Sequence, residues 1–122
     1  MKYKTRELSG DILDAAVLTC AVGYVWPDDA PMPSERWEDC GPMLEHYGIS
    51  LGHGPGVGVL RWRAWFEGQD DSRKAFNVPR IARGEYEAVG PIAMHTLAFG
   101  ATACEAACRS LVLCVMGAYV DL

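Results

Sequence analysis

No stretch of this 122-residue chain approaches the roughly 18 consecutive apolar residues of a membrane-spanning helix. The run from Leu111 to Val120 is shorter and is broken by Gly117. The N-terminus, MKYKTRELSGDILDA, has basic residues but lacks the apolar core of a secretory signal. A cytoplasmic location with no membrane partner is therefore expected. Positive charge is also scarce, with 11 Lys and Arg against 16 Asp and Glu, for a net charge of −5. The deficit falls within residues 1–50, which hold four cations and nine carboxylates, whereas residues 51–122 hold seven of each. Bulk charge thus provides no drive toward a phosphate backbone, and nucleic-acid binding would need a local patch.

Chemistry-bearing motifs are equally sparse. His46, His53 and His95 stand singly, and the chain has no CxxC knuckle, so neither a metal nor any other cofactor is expected. Gly52-His-Gly-Pro-Gly-Val-Gly is rich in glycine but lacks the Lys-Ser/Thr of a phosphate-binding loop, and it reads as a turn between strands. The five cysteines (Cys20, Cys40, Cys104, Cys108, Cys114) cannot all pair within one chain and lie mostly in apolar stretches, so they read as reduced, buried thiols. Cys40 is the thiol most expected at the surface. It precedes a helix start, where a thiolate is favoured, but nothing in the sequence brings His46 or His53 to it as a base. No catalytic residue is assigned.

The chain is, in contrast, half hydrophobic, and 122 residues suffice for one domain (1–122) with its own core. Residues 2–6 alternate weakly, as a short edge strand does. Ser9 reads as the N-cap of a helix over 10–22, with Leu8 and Leu13 at hydrophobic-staple spacing and Leu13, Ala16, Val17, Cys20 and Ala21 along one stripe. Three prolines make 24–35 a loop, with Tyr24, Val25 and Trp26 expected as its anchors on the core. Trp37 precedes Pro42, which suits the first turn of a short helix over 42–47. Ile49 and Leu51 open a brief strand. Residues 57–68 alternate, with Leu60, Trp62, Ala64 and Phe66 on one face and Val59, Arg61, Arg63 and Trp65 on the other. Residues 67–84 read as a long mobile loop. Residues 92–98 fit either a strand or a short helix, with strand favoured. Thr102 and Glu105 have capping-box spacing and start a helix over 103–116 that stops at Gly117.

This pattern indicates an α+β fold, a small antiparallel sheet covered by two main helices. Helices on opposite faces would give an α/β/α sandwich, the favoured arrangement, and helices on one face would give two layers. Periodicity does not choose between them.

Three blocks of the chain resemble a family of small phage and prophage proteins of unknown function, the NinX-like proteins. KTRELSGDILDAAV carries the resemblance through Lys4, Thr5, Glu7, Leu8, Gly10, Leu13, Asp14, Ala16 and Val17. WEDCGPMLE carries it through Trp37, Gly41, Pro42 and Glu45, and the C-terminal helix through Gly100, Thr102, Ala106, Ala107, Arg109, Val112 and Gly117. The blocks cover about half the chain in the family's order. Ala101 and Ala103 stand where the family has proline, and Cys40 where it has glycine. The resemblance implies an α/β/α fold and brings no catalytic residues.

Two functional readings follow. Four tryptophans and an apolar C-terminal helix exceed what so small an interior easily covers, so the leading expectation is a non-enzymatic interaction module. It would bind a host or phage protein or a second copy of itself as a homodimer. The alternative is a nucleic-acid-binding accessory protein that uses Arg61, Arg63 and Trp65 of one strand face with Arg73 and Lys74 beyond it.

Overall fold

The computed structural model describes residues 2–57, 60–66, 75–76 and 92–122. Their elements follow the order β1 (Lys2–Lys4), α1 (Gly10–Cys20), α2 (Trp37–Tyr47), β2 (Ile49–Val57), β3 (Leu60–Phe66), β4 (Ala75–Phe76), β5 (Ile92–Ala93), β6 (Ala98–Gly100), α3 (Ala103–Met116) and β7 (Tyr119–Asp121). Short 3-10 turns cover Thr5–Glu7 and Met94–Thr96. The expected mobile loop over 67–84 lies outside the described residues, except that residues 75–76 pair with 92–93 as two short strands. Among the described residues no helix is long and apolar enough to cross a membrane.

The main sheet is antiparallel, in the order β2-β3-β6. Its β2–β3 hairpin corrects two sequence expectations. The glycine-rich 52–56 stretch is no turn. It continues β2, with a register shift between His53 and Val57. The single strand expected over 57–68 is split, because Val57 belongs to β2 and pairs with Leu60 of β3. β2 is an edge strand of this sheet, and an edge tolerates a proline and an irregular ladder where a central strand does not.

All three described helices share one face. α3 lies on β3, β6 and β2, while α1 and α2 pack against α3. One core cluster joins Leu13 and Val17 of α1, Met43 and Leu44 of α2, Ala106, Ala107, Leu111 and Val112 of α3, and Ile49 and Ala64 of the sheet, with Trp62 and Phe66 packed against it. The antiparallel sheet under helices is as expected, and of the two arrangements left open the described helices adopt the shared face. The alternation of β3 determines this face, because Trp62, Ala64 and Phe66 all point to the helices.

Local chemistry accounts for the helix boundaries. At α3 the Thr102 hydroxyl accepts the Glu105 N–H at 3.1 Å. The Glu105 carboxylate turns back to the N–H of Ala101 at 3.0 Å, one residue before the group that the capping box predicts. α1 starts after Ser9, but the Ser9 hydroxyl makes no capping bond. Gly10 follows with φ of 57°, a left-handed step that glycine takes without steric cost. Leu8 and Leu13 both reach the core, as a staple requires. α2 begins five residues earlier than expected, and Pro42 lies inside it. The proline forfeits one helical bond. Glu38 and Asp39 in the first turn favour the amide-rich end, and buried Cys40, Met43 and Leu44 hold the helix against the core.

Three contacts fasten α3 to its surroundings. Gly100 ends β6 so close to α3 that an added Cβ would lie 2.5 Å from the Ala106 nitrogen. The Ser110 hydroxyl donates to the Thr96 carbonyl at 2.7 Å, and the Thr96 hydroxyl accepts the Phe66 N–H at 2.9 Å. Beyond Gly117, β7 pairs antiparallel with β1, Lys2 opposite Asp121 and Lys4 opposite Tyr119. The buried Thr5 hydroxyl donates to the Gly117 carbonyl at 2.6 Å.

Gly100→Ala must push the start of α3 off the sheet. We expect a loss of roughly 1–3 kcal/mol, read as a lower urea midpoint with an unchanged slope. Thr102→Ala, which removes only the cap, should cost about 1 kcal/mol.

Candidate functional site

Of the arginine and tryptophan face proposed on β3, only Arg61 is exposed among the described residues. Arg63 and Trp65 are each 4% exposed. The Arg63 guanidinium lies over the Phe99 ring, 5.8 Å from its centroid. Arg73 and Lys74 lie outside the described residues. The alternation that placed Arg63 and Trp65 together is correct, but it did not reveal that their face is covered.

Arg109 is also inside the fold. Its Nε donates to the Leu8 carbonyl and its Nη1 to the Phe99 carbonyl, both at 2.8 Å, and Nη1 lies 3.3 Å from Glu105. Burial lowers its pKa and the Glu105 carboxylate opposes that shift. A guanidinium remains charged under such a balance. The charge therefore joins the segment before α1, the edge strand β6 and α3 itself.

The thiols also differ from expectation. Cys40 is fully buried and Cys114 is exposed. Cys40 pairs with no histidine. It lies with Cys104 in the core where α2 packs on α3. The neighbouring Cys104 thiol and burial push the Cys40 thiol up. Burial also raises Cys108, and it pushes Cys20 up to about 11. Among the described residues no group of three or more His, Cys, Asp or Glu could hold a metal ion.

What does reach the surface is aromatic. Tyr24 stacks edge-on against Trp26 at 4.7 Å between centroids and meets His46 at 4.8 Å, and His46 meets Tyr47 at 4.7 Å. These rings join the loop after α1 to the C-terminal end of α2. Beside them Val25 is 86% exposed, contrary to its expected role as an anchor. Tyr24, Trp26 and Tyr47 do pack against the core cluster. At the other end of α2, Trp37 lies over Gly41, where an added Cβ would fall 3.1 Å from the indole nitrogen, and it remains 54% exposed.

The loop that carries Tyr24 and Trp26 is held by two buried carboxylates. Asp14 accepts the Ser34 N–H and Asp39 accepts the Met32 N–H, each at 2.8 Å. Arg36 pairs with Asp28 at 2.8 Å across the same loop. Sequence reading missed this cluster because His46 and Tyr47 are distant in sequence from Tyr24 and Trp26. The available signal was the aromatic pair between the end of a helix and a proline-rich loop. No protein-family model matches the chain, and no curated protein sequence does.

Arg109→Met leaves two buried carbonyls without a donor. We expect a loss of roughly 2–4 kcal/mol by urea titration. The thiols give a pH dependence. The native fold keeps Cys20, Cys40 and Cys108 protonated at pH values where an unfolded chain releases those protons. The native state therefore binds more protons in that range, and stability declines as pH rises. For Cys20 the decline runs from 9.0 to about 11. The urea midpoint in reductant should be lower at about pH 10.5 than at about pH 8, and Cys20→Ala should reduce the difference.

Proposed function

We propose that the chain is a cytoplasmic, non-enzymatic protein-interaction module, a phage or prophage accessory protein of the NinX-like kind. The observation that carries this reading is the ring cluster of Tyr24, Trp26, His46 and Tyr47 at the surface beside exposed Val25. Aromatic side chains locked by their neighbours lose little entropy on docking, and they dominate the energetics of protein interfaces. The two buried carboxylates that pin the loop add such pre-ordering. The partner is a host or phage protein, or a second copy of the chain in a homodimer.

A nucleic-acid-binding role is the alternative, and Arg61, exposed on β3, supports it. One experiment separates the readings. Tagged chain is used to capture partners from host lysate, beside a Val25→Ser/His46→Ala variant whose thermal unfolding is unchanged. At least about tenfold less of one specific protein on the variant is the expected result. Equal capture by both forms would remove the aromatic surface from consideration. Saturable binding to oligonucleotides at moderate salt, weakened by Arg61→Ala, would favour the alternative. Light scattering at high micromolar concentration tests the homodimer directly, and a strict monomer excludes it.

A further inference from the structure

We infer that the ring surface takes an arginine-bearing segment of a partner protein, an assignment that rests on the reading of that surface as an interface. Three features meet there, and each favours a cation. The first is the rings. Tyr24 holds Trp26 at 4.7 Å and Tyr47 at 5.9 Å between centroids, with exposed His46 beside them. Rings so close leave no room for a cation between them, so their outer faces are what a cation meets. The second is the end of two helices. α1 stops at Cys20, and the Tyr24 N–H donates to the Ala21 carbonyl just beyond it at 3.2 Å. α2 stops at Tyr47, itself one of the rings. Each helix end carries about half a negative charge on its last carbonyls. Neither helix has a lysine or arginine in its last turn to answer it. The third is formal charge. Residues 7–50 hold nine carboxylates and one Lys or Arg, Arg36, which Asp28 already engages at 2.8 Å. Asp29 and Glu45, next to the rings in sequence, are exposed. Under the same loop the fully buried Asp39 uses one carboxylate oxygen to hold Met32 and leaves the other without a hydrogen bond.

Arginine fits this surface better than lysine. A guanidinium is planar and weakly hydrated, so it stacks on a ring face and still directs N–H groups to a carboxylate at the rim. An ammonium holds its water more tightly. Exposed Val25 offers a contact to the apolar stem of the arginine. Two other occupants meet the wrong charge. A phosphate backbone is repelled by the carboxylates around the rings. A second copy brings a net charge of −5 to the same acidic surface. The cations at Lys2, Lys4 and Arg6 precede α1, at the helix end opposite the rings, and do not offset this charge.

The full chain is titrated into a short fluorescent peptide of alternating arginine and glycine, beside lysine and glutamate counterparts. Salt is kept at about 0.15 M, where surface charges more than about 8 Å apart are screened. The expected result is saturable binding of the arginine peptide, at least about threefold tighter than the lysine peptide, with none of the glutamate peptide. Glu45→Lys should weaken the arginine peptide at least about tenfold. A lysine there suits the C-terminal end of α2, so thermal unfolding should not fall and the lost binding is not lost folding. Glu7→Lys makes the same charge change before α1 and should leave binding within about twofold. No binding, equal affinity for the arginine and lysine peptides, or equal weakening by Glu7→Lys and Glu45→Lys would each overturn the assignment. Lysate capture separates it from the broader reading. A protein lost with Val25→Ser/His46→Ala but kept with Glu45→Lys retains the interface and removes the arginine. Equal capture by all forms removes both.

Discussion

The fold depends on one buried cation. Arg109 stands in the middle of the most deeply packed helix, where an ionised side chain has a large desolvation cost unless every direction is answered. Three groups answer it: two carbonyls from other segments and one carboxylate on its own helix. None of the three is optional, because each compensates for part of the same desolvation. The segment before α1, the sheet edge at Phe99 and the first turn of α3 are consequently fixed relative to one another. The same guanidinium occupies the Phe99 carbonyl of an edge strand, which leaves that group unavailable to a foreign strand.

Around that charge α3 is built from small residues. Ala106, Ala107, Cys108 and Ser110 are fully buried, and the strand it covers ends in glycine. Small side chains let the helix axis come close enough for Ser110 to reach the Thr96 carbonyl and for Thr96 to cap the Phe66 amide. The hydrogen-bonded frame and the close packing are therefore one feature, since larger residues at 106 or 107 would lengthen those bonds.

Sequence reading succeeded where the governing interaction is local. The α3 boundaries follow from Thr102, Glu105 and Gly117, and the inward face of β3 follows from strict alternation. It failed where a distant segment decides. Pro42 has the signature of a helix start, and only burial of Cys40 and Met43 with acids at Glu38 and Asp39 extends the helix backward past it. The glycines at 52 and 54 read as a turn until β3 supplies a ladder for them. For the candidate surface the limit is sharper still. Nothing in the residues near Arg63 or Trp65 shows that both are covered, and nothing near Tyr24 announces Tyr47. Exposure is a property of the whole fold, so a sequence pattern can place side chains on one face without saying whether that face meets solvent.

The pairing of β1 with β7 bears on how the molecule assembles. Residues 2–4 find their partners only at 119–121, and Leu8 receives its donor only from Arg109. During synthesis α1 therefore emerges with an apolar stripe and no surface to cover it until almost the whole described chain is present. Contacts so far apart in sequence slow folding and prolong the life of partly folded chains. For this protein, a chaperone bound to the early helix would matter most in the interval before the last helix arrives.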